Sequence, residues 1–164
     1  MNWKKLTIES RNELQNFLKE KFETSDMNFT NLFLWSFSEN IQYAIEGDIV
    51  YIKGVYEGDE YYFSPVSKNG SKDEVISAVK RIKEYGGKIV FIPESYEDFL
   101  KEKFILVEER DSFDYIYLQE DLAELKGRKF SSKKNKINKF KKMYNFTYEK
   151  ISKENIEDIR AFQR

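Results

Sequence analysis

The chain has 164 residues, with 28 Lys and Arg against 29 Asp and Glu, a net charge of −1, and neither cysteine nor histidine. Disulfide frameworks, thiolate and imidazole metal ligands, Cys nucleophiles and His general bases are therefore excluded, and a proton acceptor must be Asp, Glu, Tyr or Lys. Fourteen Phe and 11 Tyr supply bulky core material despite a 35% charged content, which argues for one folded domain rather than disorder. No segment has the apolar length of a signal-peptide core or a membrane span, so a cytoplasmic protein is the expectation.

In chain order, residues 3–7 suit a short edge strand. In SRNELQNFLKEKF, Ser10 followed by Glu13 reads as a capping box, and Leu14, Phe17, Leu18 and Phe22 fall on one helical face. A second helix is predicted from about Ser25 or Asp26, with Phe29, Leu32, Phe33 and Phe37 as its stripe and Trp35 close by. IQYAIEG and DIVYIKGVY read as strands joined by a Gly47-Asp48 hairpin. EYYFSP adds a third after a turn at Gly58-Asp59, and Pro65 ends it.

SKDEVISAVKRIKEYGG is the clearest helix. Ser71 and Glu74 mark its start, Val75, Ile76, Val79 and Ile82 its buried face, and Gly86 its stop. KIVFIP reads as a buried central strand. Ser95 then caps YEDFLKEKF, with Phe99, Leu100 and Phe104 inward. ILVEE and SFDYIYL read as strands, EDLAEL as a short helix closed by Gly127, residues 131–143 as a basic helix, YNFTYEKI as a last strand, and Ser152 as the opening of a final helix. The order β-α-α-β-β-β-α-β-α-β-β predicts an α/β (α+β) fold, with a mixed central sheet and helices on both faces. It is the order expected of the GNAT acyltransferase fold.

Charge is unevenly spread. Nine Lys and Arg lie between Lys126 and Lys142 with no acid among them, leaving a net of −10 on the remainder. Such a block suits phosphate, nucleic acid or an anionic membrane, or is a solvated helix face. Gly127 closes one helix, Arg128 and Lys129 follow, and Ser131 or Ser132 can cap the next, so a helix N-terminus with free N–H groups sits among cations. Phe130, Ile137, Phe140 and Tyr144 share a face that docks the helix. Lys133, Lys134, Lys136, Lys141 and Lys142 lie on other faces. Asn135 and Asn138 are poor helix formers whose amides can serve a ligand or the backbone. Against a merely solvated face stands the lack of any Glu at i±4.

Two weaker features follow. Arg110, Asp111 and Asp114 cluster ahead of an aromatic run, where Asp114 or Tyr115 is a candidate base or substrate ligand; the competing reading is an ion-paired strand end. Asp26 with Phe29, Thr30, Asn31 and Trp35 is either a cleft wall or a capped core helix. The Q/R-x-x-G-x-G/A loop by which ordinary GNAT enzymes wrap coenzyme A pyrophosphate is absent, since Gly86-Gly87 lacks its spacing.

The stretch RDSFDYIYLQEDLAELKGRKFSSKKNKINKFKK resembles a bacterial family with the pattern D-Y-I-Y, L-x-x-L, G-[KR]-K-[FY], then K-[KR]-N-x-[IL]-N-x-F. This is the family of phosphatidylglycerol lysyltransferase C-terminal-type proteins, related to the aminoacyl-tRNA-dependent Fem peptidyltransferases. FTNLFLW resembles that family's first helix pair. Ser131 and Ser132 depart from it, since many relatives have an aromatic residue or His there. The resemblance implies two tandem GNAT-like domains, of which this chain is the N-terminal half: residues 1–151 form one domain and 152–164 begin a helix toward a second. It implies an acyl or aminoacyl transferase, inactive as a half. Arg128, Lys129, Lys133, Lys134, Asn135 and Asn138 would hold the phosphates of an acyl-CoA or aminoacyl-tRNA donor, and Asp114 and Tyr115 would handle protons.

Two other readings stay open. The block can dock the acidic body onto RNA or an anionic lipid surface without chemistry. It can also pair with the acids of a second domain, and the exposed surface of a half can drive homodimerisation. No metal is expected.

Overall fold

The alternation of residues 42–63 becomes an antiparallel meander in the computed structural model, which describes residues 1–19 and 21–162. The strands are β2 (Gln42–Glu46), β3 (Ile49–Tyr56) and β4 (Asp59–Phe63). Glu46 faces Ile49 across the expected Gly47-Asp48 turn. The second turn is Glu57-Gly58 rather than Gly58-Asp59: Tyr56 faces Asp59, and the two turn residues have φ of 52° and 94°. Positive φ at both centres matches the twist of a tight hairpin, which is what moves the turn back by one residue.

β1 (Lys4–Lys5) is the expected edge strand on β2, and β6 (Lys88–Val90) adds to β4 in parallel. The sheet is thus mixed, in the order β1-β2-β3-β4-β6, with β5 (Val66–Ser67) returning to β3. β4 ends just before Pro65, as expected, and β5 pairs with β3 beyond it. β6 ends the sheet path instead of lying at its centre, with Lys88 exposed and Ile89 and Val90 half-buried. Apolar composition alone does not say whether a strand has neighbours on both sides.

Successive strand residues feed opposite faces, as the pleat requires. Tyr43, Ile52, Tyr61 and Phe63 join Leu14, Phe17, Leu18 and Leu32 from α1 (Arg11–Leu18) and α2 (Phe29–Glu39). Ala44, Tyr51 and Tyr62 join Ala78 and Ile82 from α3 (Lys72–Glu84). Val75 and Val79 of α3 also meet Leu100 of α4 (Glu94–Lys101). Helices therefore cover both faces of a mixed sheet, a GNAT-like α+β architecture.

Local chemistry moves several helix starts. A 3-10 turn, Ile8–Ser10, precedes α1; Ser10 Oγ accepts from Thr7 N–H at 3.1 Å rather than boxing with Glu13. Glu13 is diverted to Lys4 Nζ and the Tyr43 hydroxyl. α2 begins at Phe29 because Asn28 Oδ1 caps Asn31 N–H at 2.9 Å. Ser71 caps Glu74 N–H as predicted, but the Glu74 carboxylate accepts from Ser67 Oγ. α4 is preceded by Pro93, with Ser95 already inside it.

The chain forms two compact units, Met1–Ile116 and Tyr117–Arg164. The three remaining predicted strands, ILVEE, SFDYIYL and YNFTYEKI, are not formed. Ile105 is 95% exposed and Tyr148 96%. A strand is stabilised by its neighbours, and these segments have no ladder partner among the described residues. In the second unit, α5 (Gln119–Glu124) closes at Leu125, itself in the left-handed region with φ 49°, before Gly127 is reached. α6 (Ser131–Met143) follows, and α7 (Ile156–Phe162) starts after a turn in which Ser152 N–H donates to Asn155 Oδ1. No helix among the described residues is long and apolar enough to cross a membrane.

Candidate functional site

In the second unit, Gly127 at φ 86° turns the chain into a 3-10 turn, Arg128–Phe130, that runs straight into α6. Neither serine caps the helix. Phe130 N–H donates to the Gly127 carbonyl and Ser131 N–H to that of Arg128. Phe130 is buried, its ring 6.5 Å from Tyr117, and it anchors the segment as expected. Ile137 and Phe140, predicted as further anchors, are 43% and 48% exposed.

The predicted phosphate-binding residues divide by position. Lys129 is engaged, its Nζ 3.0 Å from Asp121 of α5. On α6, Lys134 and Asn138 stand one turn apart, Lys142 one turn further, with Asn135 beside them. The i, i+4 spacing puts all four along one side of the helix. Lys133 lies on another side, its Nζ 5.4 Å from the Tyr117 ring centroid. The ion pairs of this unit are Lys126–Glu124, Lys129–Asp121 and Arg160–Glu157, so among the described residues no acid pairs with the lysines of α6. The expectation of an uncompensated block holds for the helix and fails at Lys126 and Lys129.

Asp114 and Tyr115 lie in the first unit, just beyond the 3-10 turn Arg110–Ser112, and both are exposed. The structure brings Asp114 within electrostatic reach of Asp26. Burial pushes the Asp26 carboxyl above its ordinary value, and the Asp114 charge adds to that. Asn31 serves the fold: its side-chain amide donates to the Ser25 carbonyl and hydroxyl at 3.0 Å each, tying down the loop before α2. That favours the capped-helix reading of the Asp26–Trp35 stretch.

The sequence reading missed a second constellation in the first unit. Lys53 faces Tyr62, but three residues back along β3 Val50 faces Val66, four residues on. One extra residue is therefore accommodated between β4 and β5, a bulge at Ser64-Pro65. Ser64 Oγ is fully buried there without a hydrogen-bond partner. Pairing with parallel β6 stops at Phe63–Val90, and the next residue, Phe91, has φ 54°, a costly conformation for a bulky side chain. Its ring stacks on Phe63 at 5.2 Å.

The Tyr61 hydroxyl donates to Glu39 Oε2; burial, and then this carboxylate, push the phenol well above its ordinary value, so it stays a neutral donor. Gly54 makes room for that phenol, since a Cβ there would lie 2.6 Å from its oxygen. Bulge, orphan hydroxyl and strained Phe91 thus converge at the carboxyl ends of two parallel strands, where open α/β sheets bind ligands. The only sequence signal for this was a proline inside a strand run.

The family model described as phosphatidylglycerol lysyltransferase, C-terminal, matches residues 19–164. Among solved structures, a conserved protein of unknown function from Bacteroides thetaiotaomicron VPI-5482 is 29% identical, with a TM-score of 0.75. That match covers 99% of this chain and 58% of the other, so the chain spans little more than half of its structural relative. No curated protein matches it.

Proposed function

The chain belongs to the family of phosphatidylglycerol lysyltransferase C-terminal domains, and from that premise we propose that it is part of an acyl or aminoacyl transferase whose α6 holds the phosphates of the donor. The observation that carries this reading is the set of α6 lysines without acid partners among the described residues. Lys134 and Lys142 supply charge along one side, and the amides of Asn135 and Asn138 supply neutral hydrogen bonds beside them. Arg128 and Lys133 add charge, and Lys129 joins by exchanging Asp121 for the donor. The donor is an aminoacyl-tRNA or an acyl-CoA. The missing pyrophosphate loop weighs against the second.

The chemistry is displacement at a carbonyl. An acceptor amine or hydroxyl attacks the donor's acyl carbon, its proton passes to a carboxylate, and the donor's ribose hydroxyl or thiol leaves carrying a proton. Asp114 is the proposed proton acceptor and Tyr115 its neighbour in proton handling. Such a site works by positioning and by stabilising the developing oxyanion.

Lys133→Glu combined with Lys134→Glu is expected to abolish binding of aminoacyl-tRNA, measured by filter retention at low salt, with the thermal unfolding midpoint unchanged. Unaltered affinity in a folded variant overturns the assignment of donor phosphates to α6. A second reading draws on the exposed, strand-like ILVEE and YNFTYEKI: they and the basic helix dock a further domain of a longer protein. Co-expression of the remaining domain tests it, with protection of residues 105–109 and 144–151 from hydrogen exchange as the expected result.

A further inference from the structure

We propose that two copies of this chain pair across a two-fold axis, through the outer side of α2 and the hollow beside it. The proposal does not draw on α6. A hollow of about 410 Å³ opens between residues 5–9 and the last turns of α2, with Lys5, Thr7, Ile8 and Glu9 on one side and Phe33 and Phe37 on the other. Phe37 also stands out from it, 79% exposed, its ring edge-on to Phe33 at 5.3 Å. Leu34, three residues back on the same side of the helix, and Ile8 across the hollow are exposed as well. A protruding ring and a recess on one patch are what an isologous contact needs, since each copy's Phe37 can enter the other's recess.

Charge names a second copy as the occupant. α2 has no cation, and its one acid, Glu39, accepts a hydrogen bond from the Tyr61 hydroxyl, so nothing repels across the helix face. The other wall of the hollow carries one base and one acid, Lys5 and Glu9, both exposed and neither in an ion pair among the described residues. The Thr7 hydroxyl donates to the Glu9 carboxylate and holds it below its ordinary value, so the acid is ionised. A two-fold axis sets Lys5 of each copy against Glu9 of the other, and one face then matches both charges. A lipid surface would call for several cations around the apolar side chains, whereas Lys5 is the one base lining the hollow. Covering this face on both copies removes on the order of 1,000 Å² from water, the lower end of a specific interface, so the pairing is weak.

The test is sedimentation equilibrium of the 164-residue chain. Loading concentrations run from about 1 μM to about 1 mM, the range of weak specific association, and a monomer–dimer equilibrium is expected within it. Phe37→Ser, an exposed change, should weaken pairing about tenfold or more and leave the thermal unfolding midpoint of the monomer close to unchanged. Lys5→Glu and Glu9→Lys should each weaken it severalfold, because each sets like charges against one another in the pair. Mixed in equal amounts, these two variants should pair with each other as well as the wild type does with itself. That rescue is specific to contact between copies, since neither variant is repaired within its own chain. A chain still monomeric at about 1 mM overturns the proposal. So does a dimer indifferent to Phe37→Ser, which would put the interface on another surface. Failure of the mixture to recover overturns the two-fold pairing of Lys5 with Glu9.

Discussion

The two compact units spend their aromatic residues differently. In the first, Tyr43, Tyr61, Tyr62 and Phe63 are buried between sheet and helices. In the second, Phe130 is the one buried apolar side chain among the described residues, and Phe140, Tyr144, Phe146 and Tyr148 are left exposed. The first unit is stabilised by its own contacts. The second carries strand-like sequence outside any ladder and α6 lysines that no described acid pairs. The difference separates where the fold is held from where it is open to recognition.

The contrast is broken most severely in the core. Leu14→Ala, at a fully buried position on α1, is expected to cost about 2–5 kcal/mol, read from the urea midpoint. Ile137→Ala on α6 should cost under about 1 kcal/mol, since much of that side chain is already in water. Equal losses at the two positions would mean that α6 is as well packed as α1.

Gly54→Ala comes next, at about 1–3 kcal/mol, because its methyl would drive the Tyr61 ring off Glu39 in a filled core. Ser64→Ala runs the other way. Removing a buried hydroxyl without a partner should leave stability unchanged or raise it by about 1 kcal/mol. A clear loss of stability would show that the hydroxyl is already satisfied.

The smallest effect is electrostatic. The Glu13 carboxyl is held below its ordinary value of 4.5 by hydrogen bonds from Lys4 and then Tyr43. A depressed carboxyl stabilises the fold above its unfolded value and loses that contribution as pH falls through the folded one. Glu13→Gln should therefore flatten the acid limb of the stability curve below about pH 4.5, by less than about 1 kcal/mol because the pair is exposed.

Sequence periodicity was informative wherever neighbours were close in the chain. The meander, the α3 face and the Phe130 anchor all depend on contacts or turns within a few residues. The reading failed where the outcome depended on distant partners. ILVEE and YNFTYEKI have β composition, but their pairing depends on a ladder that the described residues do not supply. Glu13 matches a capping box, yet Lys4 and Tyr43, which competed for it, come from other elements. The bulge at Ser64-Pro65 depends on a register slip against β3, and Phe91 on where pairing with β4 stops. None of these is written in local spacing. The lysines of α6 were legible because an uninterrupted charge block needs no tertiary context to be noticed, although Asp121 beside Lys129 did.

The most direct test of the account is the salt dependence of aminoacyl-tRNA binding to the wild-type chain, Lys134→Ala and the Lys134→Ala/Lys142→Ala pair. If α6 holds donor phosphates along that side, the slope of log affinity against log salt should shrink by roughly one for each lysine removed. Identical slopes for all three proteins would contradict it and place the phosphates elsewhere on the molecule.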